Sequence, residues 1–277
     1  MKYEIKTDEI VIYDLKNFNI NQILDCGQIF RYQINGDKAV VFSKDKKAEI
    51  QTFESMVVIK TNDVKYFENF FDLNTDYSSI KEKLKHDKYL VDAIQYGYGI
   101  RILKNDPFEM IVSFIISANN RIPLIKRSIE RLCNAFGTDM GGYRAFPTLE
   151  QLKEASVEDF KMAGLGYRAE YMFNTIQNLT LEQIDSLKSK SREAQFNFLV
   201  SLKGVGEKVA HCIMLFGLGV KDVFPVDTWI NRVYNKINNT NENDRKKIAK
   251  EFISAYGNLS GYAQQYFFYY FRENKVK

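Results

Sequence analysis

The sequence predicts a mainly α protein: an α+β N-terminal domain with an antiparallel meander over residues 1–95, then an all-helical domain over residues 96–277. Three observations carry this. Apolar residues recur with a period near two from Phe30 to Lys60. After about Asp63 the period becomes helical. The length of 277 residues suits about two domains of roughly 100–200 residues each.

The elements follow in order. "FRYQI" meets "KAVVFS" across Asn35-Gly36-Asp37, a strong hairpin signal. "AEIQTF" and "MVVIK" extend the meander, with "KDKK" and "ES" as breaks. "DVKYFENFF" and "SSIKEKLKHDKYLVDAIQYG" are the first helical segments and lead to Asp106-Pro107, a helix start. Short helices then succeed one another, from "PFEMIVSFIISA" and "IPLIKRSIERLCNAF" through "FNFLVSL" and "KVAHCIMLFGL" to the closing "GYAQQYFFYYFREN".

A hydrophobic fraction of 45% provides a core, and a net charge of +4 permits a nucleic-acid partner without demanding one. Cys26, Cys133 and Cys212 are odd in number and widely spaced, so neither a disulfide framework nor a Cys/His zinc pattern is visible. The charged, alternating start does not resemble a signal peptide, and no run approaches the roughly 18 apolar residues of a membrane span. The expectation is a reduced, cytoplasmic protein.

The stretch "SLKGVGEKVAHCIMLFGLGVKDVFPVD", Ser201 to Asp227, carries the chemistry. It reads as helix, glycine hairpin, helix. Gly204 and Gly206 permit a turn too tight for a Cβ, and the N–H groups opening the second helix favour an anion such as a phosphate. An ordinary αα-hairpin is the plain alternative. Lys208 lies in the first turn, where the helix dipole disfavours a cation, and Val209, Ile213 and Leu215 are apolar neighbours that would desolvate it. Both effects favour the neutral, nucleophilic amine; a solvated surface lysine is the alternative. Asp227 after Pro225-Val226 suits a helix N-cap, and a carboxylate there also suits stabilising positive charge on a sugar.

Gly204-Val205-Gly206, Lys208 and Pro225-Val226-Asp227, in this order and spacing, resemble the helix–hairpin–helix Gly/Pro…Asp superfamily of base-excision DNA glycosylases. "CGQIFRY" (26–32), "SFIISANNRI" (113–122), "GLGYRAEY" (164–171), "GVGEKVAHC" and "GYAQQYFF" (261–268) together resemble the eukaryotic-type 8-oxoguanine DNA glycosylases, in the family's order over nearly the whole chain.

The resemblance implies a helix–hairpin–helix DNA glycosylase bundle and roles residue by residue. Lys208 matches the Schiff-base lysine and Asp227 the catalytic aspartate. Gly27 matches the glycine whose carbonyl accepts N7–H of 8-oxoguanine, a proton that guanine lacks; a bend beside the meander is the alternative. Gln264 matches the amide reading the Watson–Crick edge. Cys212 and Phe268 match the two sides that sandwich the base, although Phe268 also suits a core position. Cys212 follows Lys208 by four residues, so one helix face presents both. Asn119 matches the residue that fills the space left by the extruded base, Tyr167 the aromatic wedge, and Arg168 the arginine beside the orphan cytosine; packed loops are the alternative.

Implied with these is a monomer that acts on double-stranded DNA containing 8-oxoguanine, excises the base and nicks the strand as an AP lyase. It needs no redox or organic cofactor. Cys212 is the last cysteine, so the four-cysteine iron–sulfur cluster of the endonuclease III-like members is not expected. A cation on hairpin carbonyls near Leu202 and Val205 is implied as an option. The chain departs from the pattern at Leu124, where a second cytosine-reading arginine is usual, at Trp229 in place of His, and at His211 in place of an acid. A glycosylase for another damaged base and a non-catalytic DNA-binding module are the competing readings.

Overall fold

The computed structural model describes residues 1–274, so the last three residues of the expected helical range lie outside the described residues. The alternating opening segment forms a hairpin, β1 (Tyr3–Ile5) and β2 (Glu9–Ile12), ahead of the expected meander. After helix α1 (Ile20–Asp25) come β3 (Tyr32–Asn35), β4 (Lys38–Ser43), β5 (Lys46–Thr52) and β6 (Val57–Thr61). The sheet order is β1-β2-β6-β5-β4-β3, antiparallel throughout, so the first hairpin adds to the β6 side of the meander. Asn35 pairs with Lys38, and Gly36 turns the two-residue loop at φ +61°. One face buries Val41, Ala48, Ile50 and Ile59 against α1 and α2 (Val64–Phe70).

The remaining helices are α3 (Tyr77–Leu84), α4 (Lys88–Tyr96), α5 (Pro107–Ser117), α6 (Ile122–Phe136), α7 (Leu149–Lys153), α8 (Val157–Met162) and α9 (Arg168–Asn178). They continue with α10 (Leu181–Ser186), α11 (Arg192–Ser201), α12 (Glu207–Phe216), α13 (Thr228–Asn238), α14 (Arg245–Tyr256) and α15 (Ser260–Glu273). Their starts are set by side-chain caps from Asp63, Asp76, Asp87, Asp106, Ser191, Asp227 and Asp244, and by capping boxes at Thr148, Ser156 and Thr180. Helix α5 is buried from Phe108 to Ile116 and packs against α6, α9 and α12, which accounts for its nearly unbroken apolar sequence.

The change of period and the division of packing do not coincide. Tyr77, Ile80 and Leu84 of α3 and Leu90, Ala93 and Ile94 of α4 join the helical core, where α4 lies against α15. The segment between α1 and β3 spans both cores: Cys26 and Phe30 pack with the helices, Ile29 with the sheet. Buried Arg101 staples the junction by donating to the carbonyls of Phe71 (2.9 Å), Asn17 (3.1 Å) and Thr75 (3.1 Å), with its guanidinium 4.0 Å from the Tyr77 ring centre. Glu109 ties α5 to the β4–β5 turn, accepting from the Lys44 N–H at 3.0 Å and Ser43 Oγ at 3.4 Å. Burial raises its carboxyl to about 7 against the opposing pull of the Lys44 N–H and Arg31. Among the described residues no helix is long and apolar enough to cross a membrane.

Candidate active site

Helices α11 and α12 are joined by Leu202-Lys203-Gly204-Val205-Gly206, the hairpin read from the sequence. Its two glycines differ in purpose. Gly204 sits at φ +83°, and a Cβ there would lie 3.0 Å from Tyr171 Cβ and Cδ2. Gly206 is the extended N-cap of α12 at φ −86°, and a Cβ there would meet nothing within 4 Å. The expectation that both glycines serve a turn too tight for a Cβ is therefore corrected for Gly206. Its lack of a side chain leaves the first N–H groups of α12 open, as an anion requires. The Val205 side chain is buried in the helical core. Helix α9 braces the turn, with Thr175 Oγ1 donating to the Lys203 carbonyl at 3.1 Å.

Lys208 projects from the first turn of α12 into a cavity of about 310 Å³. Gly27, Cys212, Asp227, Gln264 and Phe268 line the same cavity, so six residues from four separate segments of the chain meet at one place. The apolar surface beside the amine is not the one expected. Val209, Ile213 and Leu215 are buried in the core, because they lie on other faces of α12. Phe114 of α5 takes their place, with its ring centre 5.8 Å from Lys208 Nζ and Phe216 stacked on it at 5.7 Å. Cys212 lies one turn along the same face. Burial pushes its thiol up, against the pull of the Lys208 ammonium.

Asp227 is the N-cap of α13 as well as a wall of the cavity: its Oδ1 accepts from the Ile230 N–H at 2.9 Å, which fixes the carboxylate. Gln264 is 5% exposed; its Nε2 makes a long 3.4 Å hydrogen bond to the Pro225 carbonyl, and its Oε1 is buried without a partner. A buried acceptor without a partner is costly unless a ligand supplies the donor.

Gly27 stands at φ +78°, and a Cβ there would lie 3.0 Å from Phe268 Cε1, so glycine is needed for the turn and for the ring's approach. Gln28 holds this loop, a role not legible from the sequence alone. Its buried Nε2 donates to the carbonyls of Ile23 (2.9 Å) and Arg101 (2.7 Å), and its Oε1 accepts from the Leu103 N–H at 2.8 Å. Ser117, Arg121, Gln265 and Arg272 also line the cavity without having been singled out from the sequence.

The residues expected to touch the DNA duplex lie at the end of α5 and the start of α9. Asn119 is exposed at φ +49°, a conformation asparagine tolerates. Tyr167 is 56% exposed, its hydroxyl 3.4 Å from the Ala118 carbonyl and its ring edge-on to Tyr171 at 5.8 Å. Arg168 does not project with them. It is 8% exposed and donates to the carbonyls of Ala118 (2.6 Å), Asn119 (2.8 Å) and Leu165 (3.3 Å). In this arrangement it shapes the Asn119 loop instead of presenting a guanidinium to a base. Leu124 is 46% exposed near the start of α6.

His211 faces a separate groove, its ring 5.4 Å from Phe196, and burial lowers its pKa. Among the described residues no group of three or more His, Cys, Asp or Glu could hold a metal.

The chain is similar to known families and structures. A family model described as the 8-oxoguanine DNA glycosylase N-terminal domain matches residues 10–111, and one described as HhH-GPD superfamily base excision DNA repair protein matches residues 112–256. The Saccharomyces cerevisiae N-glycosylase/DNA lyase is 30% identical over 90% of this chain and 69% of its own length. A probable N-glycosylase/DNA lyase of Methanothermobacter thermautotrophicus is 35% identical over 75% and 74% respectively. The crystal structure of Clostridium acetobutylicum 8-oxoguanine glycosylase/lyase, solved with double-stranded DNA containing cytosine opposite 8-oxoguanine, superimposes with a TM-score of 0.92. It is 37% identical, and the match covers 100% of this chain and 99% of that one.

Proposed function

The chain belongs to the 8-oxoguanine DNA glycosylases of the HhH-GPD superfamily, and from that premise we propose that its cavity excises 8-oxoguanine from duplex DNA and then nicks the strand. The supporting observation is the meeting of Lys208, Asp227 and the partnerless Gln264 Oε1 with Gly27, Cys212 and Phe268 in one cavity of base-binding size.

The extruded base sits between Cys212 and Phe268. The Gly27 carbonyl accepts N7–H, which guanine lacks, and Gln264 Oε1 accepts from the Watson–Crick edge. The Lys208 amine attacks C1′ and sheds a proton, and the C1′–N9 bond breaks with its electron pair leaving on the base, which takes that proton up. Asp227, held by the Ile230 N–H, stabilises the positive charge that builds on the sugar. Opening of the sugar ring gives an imine between Lys208 and C1′. Removal of a C2′ proton then expels the 3′ phosphate, and water releases the lysine.

Asn119 and Tyr167 fill and wedge the gap left in the duplex, with Arg168 fixing the loop that carries Asn119. The open N–H groups of α12 at Gly206, with the Gly204-Val205 backbone, bind a phosphate.

This chemistry uses an amine and a carboxylate, with no redox or organic cofactor. A cation on the Leu202 and Val205 carbonyls belongs to the same proposal. The Leu202 carbonyl accepts from the Val205 N–H at 3.1 Å and keeps one lone pair for it. The protein acts as a monomer in a reduced cytoplasmic setting, which suits its three buried free thiols. The test is incubation with a duplex containing one 8-oxoguanine, resolving free base from nicked strand. Excision with nicking is expected, and an intact lesion strand refutes the proposal.

A further inference from the structure

Arg272 is a charged group in the cavity with no role in the scheme above. Residues 264, 268 and 272 recur every four positions on α15, so Arg272 continues the face that carries Gln264 and Phe268. All three line the cavity.

The Arg272 guanidinium is anchored on one side. Nε donates to Glu273 Oε1 at 2.8 Å; Nη2 donates to the Asp25 carbonyl and lies 3.6 Å from the Asp25 carboxylate. The group rests 5.2 Å from the Phe268 ring centre. Nη1 is left over: it is buried and has no hydrogen-bond partner. It sits 3.9 Å from the point where a Gly27 Cβ would lie, the same point that Phe268 Cε1 approaches to 3.0 Å. A buried guanidinium N–H held in a fixed plane with nothing to bond is costly in the free protein, and an acceptor on a ligand would relieve that cost.

We propose that Arg272 reads the base, with Nη1–H donating to the C8 carbonyl oxygen of the extruded 8-oxoguanine. The inference rests on the reading of Gly27 given above. With it, the cavity wall offers a carbonyl from Gly27 and an N–H from Arg272, whose Nη1 lies 3.9 Å from the Gly27 Cβ point. The five-membered ring of 8-oxoguanine offers the complement, N7–H with C8=O adjacent. Guanine offers a bare N7 and a C8–H, which mismatch both groups. Arg272 thus adds a second contact to the discrimination that Gly27 supplies.

The test compares single-turnover excision from two duplexes that differ only in the lesion, 8-oxoguanine or 8-thioguanine, whose sulfur is a weaker acceptor. Wild-type protein is expected to prefer 8-oxoguanine. Arg272→Met and Arg272→Lys are expected to lose about tenfold to a hundredfold on 8-oxoguanine, the range for a charge-assisted hydrogen bond. They should lose much less on 8-thioguanine, so the ratio of the two rates falls. The ratio is internal to each protein, so a loss of stability common to both substrates cancels. An equal loss on both lesions would make Arg272 only a support for Phe268 and the Asp25 loop, and would overturn the proposal, as would an unchanged ratio. A wild-type protein inactive on 8-oxoguanine would instead refute the function on which the inference rests.

Discussion

Gln264→Ala separates function from stability in a way the structure makes quantitative. In the free protein this amide contributes little to folding. Its Nε2 hydrogen bond to the Pro225 carbonyl is long at 3.4 Å, and its buried Oε1 has no partner. Removing an unsatisfied buried acceptor recovers about 1–3 kcal/mol, which offsets lost packing of similar size. The melting temperature is therefore expected to stay within about 4 °C of wild type, the shift that roughly 1 kcal/mol produces in a chain of this length. On the proposed reading the amide acquires its partners with lesion DNA, so truncation is expected to remove about 1–3 kcal/mol of binding that acts only on the extruded base. That corresponds to roughly a fivefold to 150-fold lower kcat/KM for 8-oxoguanine excision. Affinity for undamaged duplex, governed by phosphate contacts, is expected to hold. Calorimetry, single-turnover excision and binding to undamaged DNA check the three expectations. A large fall in melting temperature, with equal losses on damaged and undamaged DNA, would show that Gln264 holds the fold.

The other predictions concern positions around the cavity. Leucine at 124 cannot donate to cytosine, so excision of 8-oxoguanine opposite adenine, guanine or thymine is expected alongside excision opposite cytosine. Leu124→Arg should sharpen the cytosine preference by about tenfold, measured on four duplexes differing only in the opposing base; strong selectivity unaltered by the substitution would contradict this. Gly204→Ala meets both a left-handed backbone and Tyr171, and should cost at least about 1–2 kcal/mol in denaturant unfolding. Gly206→Ala should leave folding nearly unchanged. Glu109, raised to about 7 in the fold, holds a proton that the unfolded chain has released. Stability is therefore expected to fall as pH rises from about 4.5 through 7, and Glu109→Gln should flatten that slope in urea titrations.

Much of this site was legible because its residues are special in their local chemistry. A glycine hairpin followed by a first-turn lysine, and an N-cap aspartate after a proline, are contradictions or punctuation marks that a single sequence displays. The resemblance to a glycosylase family then supplied partners for Gly27, Gln264 and Phe268, which share no local pattern with Lys208. The meander was legible from its period. The first hairpin was not assigned, because charged residues break its three- and four-residue strands.

What stayed hidden depends on tertiary packing. The faces of α12 were known, but not that Phe114 from another helix would supply the apolar surface beside Lys208. Gln28 and Arg101 look like ordinary polar residues until burial reveals that their hydrogen bonds hold the Gly27 loop and the junction between the cores. Arg168 shows the same limit: the resemblance implied an arginine beside the orphan cytosine, and only the packing reveals that its guanidinium bonds the Asn119 loop.

The central claim is that Lys208 forms a covalent imine with the sugar of a lesion nucleotide. Borohydride reduction during reaction with 8-oxoguanine duplex tests it directly, because only an imine is converted to a stable protein–DNA bond. Wild-type protein should give a trapped complex with the crosslink at Lys208, and Lys208→Gln should give none while still binding lesion DNA. Trapping by Lys208→Gln at the wild-type level, or excision by wild-type protein with no trapped complex, would contradict the account.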